Sequence, residues 1–105
     1  TYNLTRDIGV MYEYSNLGMG LLGHLLELHT GETYEDLVIS RITKPLGMTS
    51  TGIVFTDAMK EKLALGHNDQ LEVVSNWDIH TLSGAGAIRS TASDMVKFMK
   101  VKILK

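Results

Sequence analysis

Apolar positions recur along this chain in four stretches with roughly helical spacing, separated by polar segments that carry most of the glycines. From Leu17 to about His29 the apolar residues 17, 21, 22, 25, 26 and 28 follow that spacing, and Thr30-Gly31 supplies a stop. A second helix starts at Thr33, where Thr33-x-x-Asp36 has the form of a capping box. Tyr34, Leu37, Val38, Arg41 and Ile42 then share a face, and Pro45 limits extension by disfavouring helix at Lys44. Pro45-Leu46-Gly47-Met48 reads as a turn. Thr56 or Asp57 can cap a short helix through Ala58, Met59, Leu63 and Leu65, closed by Gly66.

The remaining positions are less regular. Residues 1–9 are polar and turn-like, and Val10 to Tyr14 alternates weakly, as a short extended segment would. Residues 67–90 read as loop with one hairpin, strand character being concentrated in Gln70 to Val74. Ser83-Gly84-Ala85-Gly86-Ala87 is too flexible for helix or strand. Thr91-x-x-Asp94 repeats the capping-box pattern before a last helix with apolar residues at 95, 96, 98, 99, 101, 103 and 104. Lysines toward its carboxyl end suit the helix dipole. The expected fold class is mainly α: about four helices with little or no sheet.

With 105 residues, the chain has length for one small domain. It opens on Thr1 without an initiator Met and stops inside a helical pattern, so residues 1–105 read as a single piece of a longer protein. Apolar residues at 44% and charged residues at 21% are ordinary for a folded chain. A net charge of −2 without a basic stripe gives nucleic acid no electrostatic footing. No apolar run approaches the ~20 residues of a membrane span. The absence of cysteine removes disulfides and thiolate chemistry together.

Candidate chemistry concentrates in Tyr14-Ser15-Asn16-Leu17-Gly18-Met19-Gly20-Leu21-Leu22-Gly23. Its right end, Gly18-x-Gly20-x-x-Gly23, matches the dinucleotide fingerprint. That fingerprint requires a buried strand running into the first glycine and an acidic residue ending a second strand. Here two polar side chains precede Gly18, and the available carboxylates, Glu35 and Asp36, fall in the first turn of a helix. The glycines are better read as a packing face that admits a close neighbour. His24 and His29 lie five apart and so on different helix faces, while His67 and His80 sit in loop sequence. No metal site is expected from them. His29-Thr30-Gly31 is a helix ending.

The left end, Tyr14-Ser15-Asn16, admits two readings. A phenol beside a lysine ammonium can take a proton from a serine nucleophile, and an asparagine two residues on can hydrogen-bond a substrate amide. A buried tyrosine followed by a helix-capping asparagine gives the same tripeptide with no chemistry.

Its surroundings lift the first reading. The decapeptide, then Thr30-Gly31-Glu32-Thr33-Tyr34, Pro45-Leu46-Gly47-Met48-Thr49-Ser50-Thr51, Leu65-Gly66-His67 and Ser83-Gly84-Ala85-Gly86-Ala87-Ile88-Arg89-Ser90-Thr91-Ala92-Ser93-Asp94-Met95, together resemble the serine β-lactamase and penicillin-binding-protein-like family. The resemblance is to its class C β-lactamase, D-alanyl-D-alanine carboxypeptidase and esterase branch, and Tyr-Ser-Asn is more like the peptidase and esterase members. It implies that this is the helical subdomain of an α+β fold, with Tyr14 as general base and proton shuttle and Asn16 orienting the substrate. It assigns no role to Ser15. It further implies an acyl-enzyme on serine, no metal or organic cofactor, and a small-molecule or peptide substrate: a β-lactam, a D-Ala-D-Ala peptide or a small ester. Relatives acting on cell-wall peptides work outside the cytoplasm, so the resemblance favours an extracytoplasmic location.

One departure is large. The family's Ser-x-x-Lys nucleophile motif is absent, since no serine here has a lysine three residues later. These 105 residues alone are therefore expected to be inactive and, with apolar surface left uncovered, to self-associate. A non-catalytic binding or regulatory member of the same fold, or a helical interaction module, remains the alternative.

Overall fold

The computed structural model describes residues 3, 5–79 and 81–103; the readings placed on His80 and Leu104 lie outside them. Helix α1 spans Asn16–Thr30. Gly31 ends it at φ 75°, a left-handed conformation that costs a glycine little, and its N–H bonds the Glu27 carbonyl at 2.8 Å. Helix α2, Tyr34–Val38, is capped by Thr33, whose hydroxyl oxygen accepts the Asp36 amide at 3.1 Å. The Asp36 carboxylate takes the Thr33 hydroxyl proton at 2.7 Å.

Beyond Val38 the structure departs from expectation. The chain continues as a π turn over Ile39–Thr43, and Lys44 stays in the right-handed helical region despite the proline after it. A proline ring in a regular α-helix meets the carbonyl four residues back. The wider turn, closed by Lys44 N–H to Ile39 O at 2.9 Å, brings the chain to Pro45 without that regular spacing.

Helix α3 covers only Asp57–Glu61, with the Thr56 hydroxyl accepting the Met59 amide at 3.3 Å. Leu63, Leu65 and Gly66 are not part of it. Gly66–His67 (β1) pairs instead with Val73–Val74 (β2) in an antiparallel hairpin, and Asn76 donates to the Ala64 carbonyl at 3.1 Å. Cross-strand pairing therefore decides the fate of Gly66. Val10 to Tyr14 forms no strand. Helix α4 spans Ala92–Ile103, its start capped by the Thr91 hydroxyl on the Asp94 amide at 3.2 Å. The described residues are thus mainly helical with one two-stranded sheet, and no helix among them is long and apolar enough to cross a membrane.

Ser83–Ala85 also corrects the reading of that segment as too flexible for structure. It is a 3-10 turn seated on α1. A methyl group at Gly20 would stand 2.7 Å from Leu82 Cβ, and one at Gly84 would stand 2.8 Å from the Met19 carbonyl oxygen and 3.1 Å from Gly23 Cα. Contacts that close exclude any side chain, so the turn rests on α1 backbone to backbone.

Apolar burial is otherwise slight. Among the described residues Val38, Met48 and Ala87 form the buried apolar core, beside buried Thr43, Thr51 and Asp94. On α1 only Gly20 and Gly23 are buried, while its leucines remain 44–68% exposed. A helix apolar on nearly every side normally lies inside a protein. The Cα radius of gyration is 16.7 Å, against about 13 Å for a compact domain of this size. Polar joints do much of the holding. Glu27 accepts the Tyr34 amide at 2.8 Å, and Glu35 Oε1 accepts the Ile53 and Val54 amides, both at 2.8 Å.

Candidate functional site

Ser15 organises the tripeptide that carries the predicted chemistry. It is the N-cap of α1, extended at φ −141° and ψ 115°, and its Oγ accepts the Gly18 amide at 3.0 Å. The capping residue is therefore Ser15 and not Asn16, which is the first residue of the helix. A serine just before an apolar helical run is itself a start signal, and it accounts for the residue to which the resemblance gave no role. Tyr14 precedes the cap and is 67% exposed among these residues. Among the described residues neither the Tyr14 hydroxyl nor the Asn16 amide has a hydrogen-bond partner. Both polar ends therefore stand open at the amino end of α1, where the first turn carries no acidic side chain.

The other predicted positions fall elsewhere. Gly20 and Gly23 are filled by Leu82 and Gly84, which leaves no space for a pyrophosphate, and Glu35 and Asp36 are engaged in backbone and capping bonds. His24 Nδ1 lies 3.3 Å from Glu27. That imidazole and the Tyr34 amide hold the Glu27 carboxyl below its ordinary value, the amide being the larger influence. His67 stands in β1 opposite Val73, and His29 is exposed in the last turn of α1.

Asp94 does far more than cap its own helix. It is 2% exposed and accepts the Ser50 amide at 2.8 Å, the Thr51 hydroxyl at 2.9 Å and the Lys97 ammonium at 2.7 Å. Lys97 also donates to the Gly47 carbonyl at 2.6 Å. The ammonium first, then the amide and hydroxyl, hold the Asp94 carboxyl below its ordinary value against the opposing pull of burial. Alongside this clamp, Gly52 and Arg89 exchange backbone bonds of 3.1 and 2.9 Å, and the Arg89 guanidinium sits 5.1 Å from the centre of the Phe55 ring. Apart from Asp94–Lys97, one helical turn apart, these pairings are not visible in sequence, because the partners lie 34 to 50 positions apart.

A model of the beta-lactamase family matches residues 1–105, the whole chain. This chain belongs to the beta-lactamase family. Among curated relatives, this beta-lactamase-family chain is 30% identical over 95 residues to a beta-lactamase of Yersinia enterocolitica, covering 90% of this chain and 24% of that protein. It is 27% identical over 96 residues to penicillin-binding protein 4 of Amycolatopsis lactamdurans, covering 86% of this chain and 25% of that protein. Among solved structures, a class C beta-lactamase superimposes with a TM-score of 0.83 at 28% identity, over 97% of this chain and 29% of the other. A D-alanine carboxypeptidase of Burkholderia cenocepacia gives 0.77 at 27% identity, over 86% and 26%. The beta-lactamase-family chain thus spans less than a third of the length of each of these proteins, with the helical fold of the corresponding region.

Proposed function

We propose that these residues are the helical subdomain of a serine hydrolase and supply two side chains to its acyl-transfer site. Tyr14 acts as the base that takes the nucleophile's proton and returns it to the leaving group, and Asn16 holds the substrate's carbonyl or amide. The observation that supports this best is the pair of unpartnered polar groups at the Ser15-capped start of α1, in a chain of this family. The substrate is a β-lactam, a D-Ala-D-Ala peptide or a small ester. Names among the relatives, beta-lactamase and D-alanine carboxypeptidase, cover the first two classes.

A base without its nucleophile forms no acyl-enzyme. Assayed alone, the 105-residue chain should turn over neither nitrocefin nor p-nitrophenyl esters; turnover that Tyr14→Phe abolishes would overturn this division of labour. The leucines left open on α1 should also make the isolated chain associate with itself. Size-exclusion chromatography at several concentrations should show a species growing with concentration, and a strict monomer throughout would refute the expectation.

A further inference from the structure

A groove of about 610 Å³ lies between α3, the turn after Met48 and the segment leading into α4. Phe55, Met59 and Leu63 give it an apolar wall, and Ser90 and Thr91 also line it. Two cations, Lys62 and Arg89, line it as well. Arg89 is fixed in place: its guanidinium donates to the Ala87 carbonyl at 3.4 Å and to the Trp77 carbonyl, and it lies over the Phe55 ring. A guanidinium held at the edge of an apolar wall presents charge and surface together.

The nearby carboxylates do not cancel this character. Asp57 is paired with Lys60 at 3.1 Å, Glu35 accepts the Ile53 and Val54 amides, and Asp94 is paired with Lys97 and accepts the Ser50 amide. Glu61 is exposed beside Lys62 in sequence and is not among the residues lining the groove. The volume falls in the range of pockets that hold small organic ligands, and a mostly apolar lining with a few converging polar groups is their usual make-up.

We propose that this groove binds a carboxylate carrying an apolar chain, the chain lying on Phe55, Met59 and Leu63 and the charge meeting Lys62 and Arg89. The test is calorimetric titration of the full-length protein with octanoate, acetate and octylammonium. Octanoate should bind saturably, and each of the other two at least about fivefold more weakly. Lys62→Glu should weaken octanoate by about fivefold, and Lys62→Met by less. Lys62 is exposed, so thermal unfolding of both variants should match the parent. Absence of saturable octanoate binding, equal binding of octylammonium, or octanoate binding unchanged in Lys62→Glu would each overturn the proposal.

Discussion

Tyr14→Phe in the full-length protein should lower kcat by about 10²–10⁴, the usual contribution of a positioned proton-transfer group, while leaving thermal unfolding unchanged. The substitution removes one oxygen atom from a side chain that is 67% exposed and has no hydrogen-bond partner among the described residues. No hydrogen bond among the described residues depends on that oxygen, so a large loss of rate beside unchanged thermal unfolding would assign the loss to the reaction. Asn16→Ala should behave differently. It removes a neutral hydrogen bond to bound substrate, worth about 1 kcal/mol, so a loss of about fivefold is expected. A Tyr14→Phe protein retaining parental kcat would remove Tyr14 from the mechanism and favour a binding or regulatory member of the fold.

The largest structural effect is expected at Asp94. Asp94→Ala strips the buried acceptor from the Ser50 amide, the Thr51 hydroxyl and Lys97 at once, and it opens a hole where 2% of the residue was exposed. A loss of about 2–4 kcal/mol in unfolding free energy is expected, the range for a buried, multiply bonded polar group. Chemical denaturation of the full-length protein measures it. The pH dependence follows from the direction of the Asp94 shift. Its carboxyl is held low in the folded chain, so its contribution is complete above the unfolded value of about 3.9 and disappears as pH falls through the lower folded value. Asp94→Asn should therefore lose stability at neutral pH and show a flatter decline under acid than the parent. Equal acid sensitivity in the two proteins would remove Asp94 as an acid-labile joint.

Sequence and structure agree where the decisive interactions are local. Gly31 stops α1, and Thr33, Thr56 and Thr91 cap three helices, each through a bond to an amide three positions on. Period together with these stop and cap signals located α1 and α4. Sequence misled where distant partners decide. Gly66 reads as a helix stop until Val74 claims it for a hairpin, and Ser83–Ala85 reads as flexible until Gly20 and Gly23 receive it. The packing role of those glycines was legible, since the strand a phosphate loop needs was missing; the identity of their neighbour was not. Asp94 shows the same limit from the other side. Its cap is written in four residues, but its bonds to Ser50 and Thr51 span more than forty.

The site is legible to a similar depth. Tyr14-Ser15-Asn16 is recognisable as a unit, and the structure adds why the middle residue is serine: its oxygen fixes the helix start between the two open side chains. The function proposed for them requires a serine that this chain does not hold.

That requirement gives the most direct test. Full-length protein should be mixed with a β-lactam, quenched in acid and analysed by intact mass and peptide mapping. A covalent acyl adduct is expected on a serine outside residues 1–105, one followed three positions later by lysine, accumulating far more slowly in Tyr14→Phe. An adduct on a serine within these residues, one formed at the parental rate without the Tyr14 hydroxyl, or no adduct and no turnover with β-lactam, peptide or ester would contradict it.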